Sequence, residues 1–457
     1  MSVSTDTTFG TLGVPAKLTA ALAQRGITTP TPIQAATLPD SLAGRDVLGR
    51  GRTGSGKTYA FLLPLVARLA SAPSRRMPKR PRALILAPTR ELVAQIEESL
   101  APLAAATGLN SRTVFGGVGQ NPQVAALRKG VDIVIACPGR LEDLLGQGHL
   151  SLDAVEITVL DEADHMADLG FLPVVRRLLD RTPREGQRML FSATLDAGVD
   201  VLAKRYLSRP VTHEADSAQS PVAEMDHHVL HVGPDHHLPV LLDLTAAPGR
   251  TIVFTRTKHR AKKLARQLNA AGVPAVELHG NLSQNARTRT MDAFHSGAAG
   301  TLVATDIAAR GIHVDDVALV IHADPPVEHK AYLHRSGRTA RAGNSGTVVT
   351  MMLDDQVRDV RDLTRKAGIR PTITRVNPAH PLLRQLAPGT RDFPGGYAAT
   401  PPAAPSPGRA RQPRSGQPSR SAQSPGPGRA DRARRESQPA ANPGNRARRR
   451  PQRQTAR

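Results

Sequence analysis

Short apolar runs separated by longer stretches of helical periodicity set the pattern of the first half of the chain. The runs fall at 46–49, 83–87, 112–115, 132–136, 157–160 and 189–191, with helical stretches such as 90–103 and 172–180 between them. Apolar runs this short are strands, and their alternation with helices predicts βαβ units, a parallel sheet covered on both faces. A second series follows, with strands at 251–254, 275–278, 301–304, 318–321 and 346–353 and helices at 259–271 and 285–294. Between the two series, 210–221 is polar and without periodicity, and it reads as a linker. Beyond about Leu386 the composition turns to Pro, Arg, Ser, Gly and Ala, with no aromatic past Tyr397, which predicts disorder. The expected layout is a first α/β domain over 1–208, a linker over 209–224, a second α/β domain over 225–380 and a disordered Arg/Pro-rich tail over 381–457.

Charge sharpens this picture. The chain of 457 residues carries a net charge of +22, which points to a polyanionic partner, most simply nucleic acid. Residues 388–457 hold fifteen arginines, no lysine and three acidic residues, so over half of the excess sits on the tail. No apolar stretch approaches membrane-spanning length, and the N-terminus lacks the basic-then-apolar pattern of a signal peptide. Cys137 is the single cysteine, leaving no intramolecular disulfide and no thiolate metal cluster. Together these features favour the cytoplasm.

Two segments carry chemistry. Gly51-Arg52-Thr53-Gly54-Ser55-Gly56-Lys57-Thr58 fits the phosphate-binding pattern G-x-x-x-x-G-K-[ST] and follows an apolar run. Its glycines let backbone N–H groups curl onto phosphates, and the helix that starts there adds the positive end of its dipole. Lys57 is expected to reach the β- and γ-phosphates of ATP, and the Thr58 hydroxyl to ligate Mg²⁺. The second segment, Asp161-Glu162-Ala163-Asp164, ends an apolar run and should emerge at the carboxyl edge of the sheet. Asp161 suits the Mg²⁺ shell, largely through water, and Glu162 either orients or deprotonates the attacking water. The second series of strands has no phosphate loop, so it reads as a partner domain rather than a second NTPase.

In this order, these segments make residues 9 to about 370 resemble a DEAD-box ATP-dependent RNA helicase of bacterial type (superfamily 2). That family has two tandem RecA-like domains that close over ATP and single-stranded RNA. The resemblance implies that Gln34, in Thr31-Pro32-Ile33-Gln34, pairs with the adenine edge, with Phe9 as the isolated upstream aromatic. Arg52, Thr53, Gly54, Ser55, Gly56, Lys57, Thr58, Asp306 and Arg310 complete the ATP site. Arg338 and Arg341, within His334 to Arg341, act as arginine fingers on the γ-phosphoryl group. Asp164, Ser192, Thr194 and His334 couple nucleotide state to strand separation. Thr89, Arg90, Gly116, Gly117 and Arg140 in the first domain, and Arg256, Gly280, Gln284 and Thr305 in the second, hold the RNA backbone without reading sequence. Three departures stand out: Ile27 replaces an adenine-stacking aromatic, Cys137 a common Thr, and His313 an acidic residue near the ribose. His313 weakens ATP or adds a pH dependence unless Asp315 or Asp316 compensates. A tail-driven RNA annealer without turnover and a DNA translocase on the same core remain the competing readings. The tail itself is either an RNA tether or a solubilising extension.

Overall fold

The computed structural model describes residues 7–51, 54–72, 75–195, 197–214, 225–309, 314, 316–339 and 346–398. Arg52, Thr53, Arg310, His313, Arg341 and the tail from 399 lie outside the described residues. In the first domain the strands are β1 (Val47–Arg50), β2 (Ala83–Leu86), β3 (Ser111–Val114), β4 (Ile133–Ala136), β5 (Ile157–Leu160), β6 (Gln187–Ser192) and β7 (Val211–Glu214). They form one parallel sheet in the order β3-β4-β2-β5-β6-β1-β7. Strands β2, β4 and β5 are buried at every position, as a sheet sandwiched between helices requires. One apolar cluster joins Phe61 and Leu62 of the helix Lys57–Ser71 to Ile96 of the helix Arg90–Thr107 and to Phe191. The other face is filled by Leu141, Leu144, Val175 and Leu178.

The second domain repeats the plan with β8 (Asp226–His231), β9 (Arg250–Thr255), β10 (Ala275–Leu278), β11 (Thr301–Thr305), β12 (Val317–His322), β13 (Thr347–Met352) and β14 (Thr372–Arg375). This sheet is also parallel, in the order β10-β11-β9-β12-β13-β8-β14. Two apolar clusters again line its faces, one around Leu244, Val253 and Leu268, the other around Phe254, Phe294 and Tyr332. The expected pair of RecA-like parallel-sheet domains is therefore present.

Two boundaries move. Residues 211–214, expected in the linker, form β7 against β1. Its sequence Val-Thr-His-Glu is an edge strand that never becomes fully buried, so it lacks an apolar run. At the other end, residues 382–398, expected in the tail, belong to the second domain. The helix Leu382–Leu386 buries Leu383 and Leu386 in the cluster around Leu244. Residues 387–398 then cross the domain as a strap. Arg391 makes a two-pronged pair with Asp243, at 3.0 and 2.8 Å, and the Asp392 N–H donates to the Ala246 carbonyl at 2.9 Å. Gly396 is required there, because a Cβ would lie 2.5 Å from the Asn269 carbonyl oxygen.

Topology decides where chemistry collects. Strands β5, β6 and β1 are neighbours, and their carboxyl ends lead into Asp161–Asp164, Ser192–Thr194 and the phosphate loop respectively. An open parallel sheet gathers its ligands at this edge.

Candidate nucleotide and nucleic-acid site

The phosphate loop turns on left-handed glycines. Gly54 and Gly56 have φ of +88° and +93°, a region closed to most side chains. Gly56 also caps the helix Lys57–Ser71, and a Cβ there would meet Gln34 Nε2 at 2.6 Å. Gln34 is buried; its Nε2 donates to the Gly56 carbonyl at 2.9 Å and its Oε1 accepts from the Thr31 N–H at 2.9 Å. The glutamine expected at the adenine thus also braces the phosphate loop. Ser55 Oγ is buried with no hydrogen-bond partner among the described residues, an acceptor and donor in want of a ligand. Phe9 is a core residue at 3% exposure, and Ile27 packs against the same cluster.

Three ionisable side chains meet at the sheet edge. Lys57 Nζ donates to the Gly51 carbonyl at 2.6 Å and pairs with Glu162 Oε1 at 3.1 Å. Burial works against charge on both partners, yet each holds the other ionised: Lys57 is raised, and Glu162 is lowered. Asp161 behaves differently, since burial and the neighbouring Glu162 push it up to about 7. A buried carboxylate this short of counter-charge, with the half-buried Thr58 at the start of the facing helix, is a hard-oxygen donor set that fits Mg²⁺. Among the described residues no group of three or more His, Cys, Asp or Glu side chains could hold a metal by itself, so phosphate and water would complete the shell. Glu162 has φ +52° and ψ +53°, a left-handed conformation costing a non-glycine residue about 1–3 kcal/mol. Its N–H donates to Asp161 Oδ1 at 3.0 Å, which helps fix that turn.

The coupling residues form one network. Asp164 Oδ2 accepts from both the N–H and the hydroxyl of Thr194, each at 2.9 Å, while the Asp164 N–H donates to Ser192 Oγ at 3.2 Å. The Gly51 N–H donates to the Ser192 carbonyl at 3.1 Å, tying the same segment to the phosphate loop. From the second domain, Arg338 is buried close enough to Glu162 to help lower that carboxylate, and its Nε donates to the His334 carbonyl at 3.3 Å.

Asp306, expected at the nucleotide, is taken up inside the second domain. Arg335 grips it through two contacts of 2.5 and 2.7 Å and also donates to the Asp324 carbonyl, with its guanidinium over Phe254. Arg335 is fully buried, and no sequence spacing singled it out. Arg335→Ala would strand part of a buried charge network, and should destabilise the second domain by about 3–5 kcal/mol. A chemical-denaturation curve measures this; a loss below about 1 kcal/mol contradicts the structural role.

The backbone-binding candidates of the first domain converge. Thr89 caps the helix Arg90–Thr107, and Arg90 and Arg140 both approach Gly116. Gly117, at φ +80°, leaves room for the Arg90 guanidinium, which a Cβ would meet at 2.2 Å. In the second domain Arg256 and Gly280 are exposed at strand ends, and Thr305 closes β11. The two sets touch: Arg90 Nη1 donates to Gln284 Oε1 at 3.1 Å. Beside it lies a pair the sequence reading missed, Arg287 Nε to Glu91 Oε1 at 2.6 Å, both nearly buried. Arg287 follows Gln284 by three residues on one helix, spacing that places both on the same face. Cys137 is half-buried nearby, and burial pushes its thiol up to about 12, so it stays protonated.

Comparison with known proteins settles the family. The DEAD/DEAH box helicase profile matches residues 31–202, and the helicase conserved C-terminal domain profile matches 235–343. The chain belongs to the DEAD-box helicases. ATP-dependent RNA helicase RhlB of Shigella dysenteriae is 39% identical over 380 residues, covering 82% of this chain and 90% of its own. DEAD-box ATP-dependent RNA helicase 3A, chloroplastic, of Zea mays is 41% identical over 367 residues, 79% of this chain. The chain spans about half the length of that maize relative, 49%. Among solved structures, S. cerevisiae Dbp5 bound to RNA and ADP BeF3 superposes with a TM-score of 0.73 at 27% identity, covering 83% of this chain and 99% of its own. Mss116p bound to ssRNA and AMP-PNP gives 0.72 at 26% identity, covering 85% of this chain and 84% of its own.

Proposed function

We propose that this chain is an ATP-dependent RNA helicase that opens short duplexes by closing its two domains on ATP and one RNA strand. The observation that carries the reading is that one arrangement satisfies both sites. The charge of Arg338 in the second domain acts on Glu162 of the first, while Arg90 and Glu91 of the first domain meet Gln284 and Arg287 of the second. Each domain supplies half of each site, so ATP and RNA both favour the closed form, and each strengthens binding of the other.

In this mechanism Lys57 holds the β- and γ-phosphates as a point charge, and Gln34 selects the base while bracing the loop. Asp161 and Thr58 would hold Mg²⁺, which would supply positive charge to the phosphates of ATP. Glu162 positions the attacking water and draws its proton, and Arg338 with Arg341 neutralises charge on the γ-phosphoryl group. The Asp164–Thr194–Ser192 network carries the change to the RNA face. Thr89, Arg90, Arg140, Arg256, Gly280, Gln284 and Thr305 hold one strand in a path that a continuous duplex cannot follow.

The test is strand displacement of a short RNA duplex with ATP, a non-hydrolysable analogue and no nucleotide. ATP-dependent release supports the proposal. RNA binding without release under any condition would make the chain a clamp or an annealer. The tail acts as a tether that raises local RNA concentration. Since the second domain extends to residue 398, removal must begin at 400. Truncating 400–457 should then raise the RNA concentration for half-maximal ATPase roughly tenfold at low salt and spare the maximal rate. A large fall in the maximal rate contradicts the tether.

A further inference from the structure

The helix Lys258–Ala270 carries five Lys or Arg side chains and no acidic one. Ala261, Leu264, Ala265 and Leu268 are buried at i, i+3, i+4 and i+7, which fixes the helix on the sheet. That choice turns Lys262, Lys263 and Arg266 to solvent. Among the described residues, Arg260 is the one cation of this helix with an acidic partner, Asp324 at 2.7 Å. Like charges one turn apart, Lys262 and Arg266, repel each other and weaken a helix. A polyanion laid along this face would relieve that repulsion.

The two ends of the helix say which polyanion. At its start, Lys258 directly follows Arg256 and Thr257, and its Nζ donates to Asn281 Oδ1 at 3.2 Å, beside Gly280. The basic face thus continues directly from the candidate RNA contacts. At its far end, about 20 Å away for 13 residues, the strap returns. The Tyr397 N–H donates to Asn269 Oδ1 at 2.6 Å, and the Gly395 N–H to the Gly272 carbonyl at 3.1 Å. The strap therefore brings residue 398, after which the arginine-rich sequence follows, to the end of the basic helix.

We propose that Lys262, Lys263 and Arg266 form an RNA track, carrying the strand that leaves the core grip at Arg256 and Gly280 along this helix toward residue 398. The track holds phosphates and reads no sequence. It rests on the reading above that RNA is the polymer held by the core.

The test compares the full chain with the variant Lys262→Gln/Lys263→Gln/Arg266→Gln by fluorescence anisotropy on labelled 10-mer and 30-mer uridine strands. Three exposed side chains should leave the fold intact, checked by the melting curve. Lys262→Arg/Lys263→Arg, which keeps the charge, should bind as the parent chain does. For the 30-mer, the triple variant should bind roughly tenfold more weakly, with a log–log salt slope shallower by about 2, as three lost phosphate contacts on a single strand imply. Binding of the 10-mer should not change. Unchanged 30-mer affinity overturns the track, and equal loss on both lengths overturns it too, by placing the residues in the core grip. Lost binding to anionic phospholipid vesicles with 30-mer binding intact would assign the face to a membrane instead. A parent chain that binds 30-mers through this face, yet shows no RNA-stimulated ATP turnover, would sink the helicase reading and leave the track standing.

Discussion

Arg338→Ala will lower RNA-stimulated ATP turnover by about a thousandfold, the low end of what a lost arginine finger costs. Arg338 is a second-domain residue, buried, with its charge felt at Glu162 of the first domain. In the proposed mechanism its cation neutralises charge on the γ-phosphoryl as the bond to the leaving oxygen breaks. Such stabilisation grows toward the transition state, so the loss should fall on kcat with little change in ATP affinity. Arg338→Lys should recover only part of the rate, because a point charge cannot reproduce the planar fork. Single-turnover hydrolysis with saturating RNA measures this. A fall in ATP affinity with kcat preserved would place Arg338 in ground-state binding and contradict the finger role.

Glu162→Gln is expected to lower the rate by about a hundred- to ten-thousandfold, the range for a positioned general base. Glu162 is the ionised partner of Lys57 and is held in a left-handed turn at the carboxyl edge of the sheet. Gln keeps the shape and a hydrogen-bond acceptor toward Lys57 but cannot take a proton. The variant should still bind ATP and, without hydrolysis to reset it, hold RNA longer than the parent chain. Dissociation of labelled RNA in the presence of ATP checks this. Fast RNA release from an inactive Glu162→Gln chain would mean that hydrolysis is not what opens the clamp.

The parts of the account that were legible in sequence share one physical trait: a local requirement that only certain residues meet. The phosphate loop needs glycines at positive φ, and Gly54 and Gly56 occupy such positions. Strands buried on both faces need continuous apolar runs, so β2, β4 and β5 stood out. Edge elements have no such requirement. β7 and β14 are half-exposed and polar, and the strap 387–398 is held by hydrogen bonds and the Arg391–Asp243 pair rather than by periodicity. Long-range charge pairing was equally hidden. Arg335 and Arg338 are three residues apart in one arginine-rich segment, yet Arg335 locks Asp306 within its own domain while the charge of Arg338 is felt at Glu162. The contact of Glu91 with Arg287 joins residues far apart in the chain, and only the folded pair of domains brings them together. The family was legible because the segments Gly51–Thr58, Asp161–Asp164 and Ser192–Thr194 each follow or end a strand, where only certain residue types meet the local requirement.

In the proposed mechanism RNA and ATP are used together, through closure of the two domains. Steady-state ATP hydrolysis with no nucleic acid, with single-stranded RNA and with single-stranded DNA tests it most directly. Slow basal turnover, strong stimulation by RNA and little by DNA are expected. Equal stimulation by DNA, or no stimulation by RNA that is demonstrably bound, would contradict it.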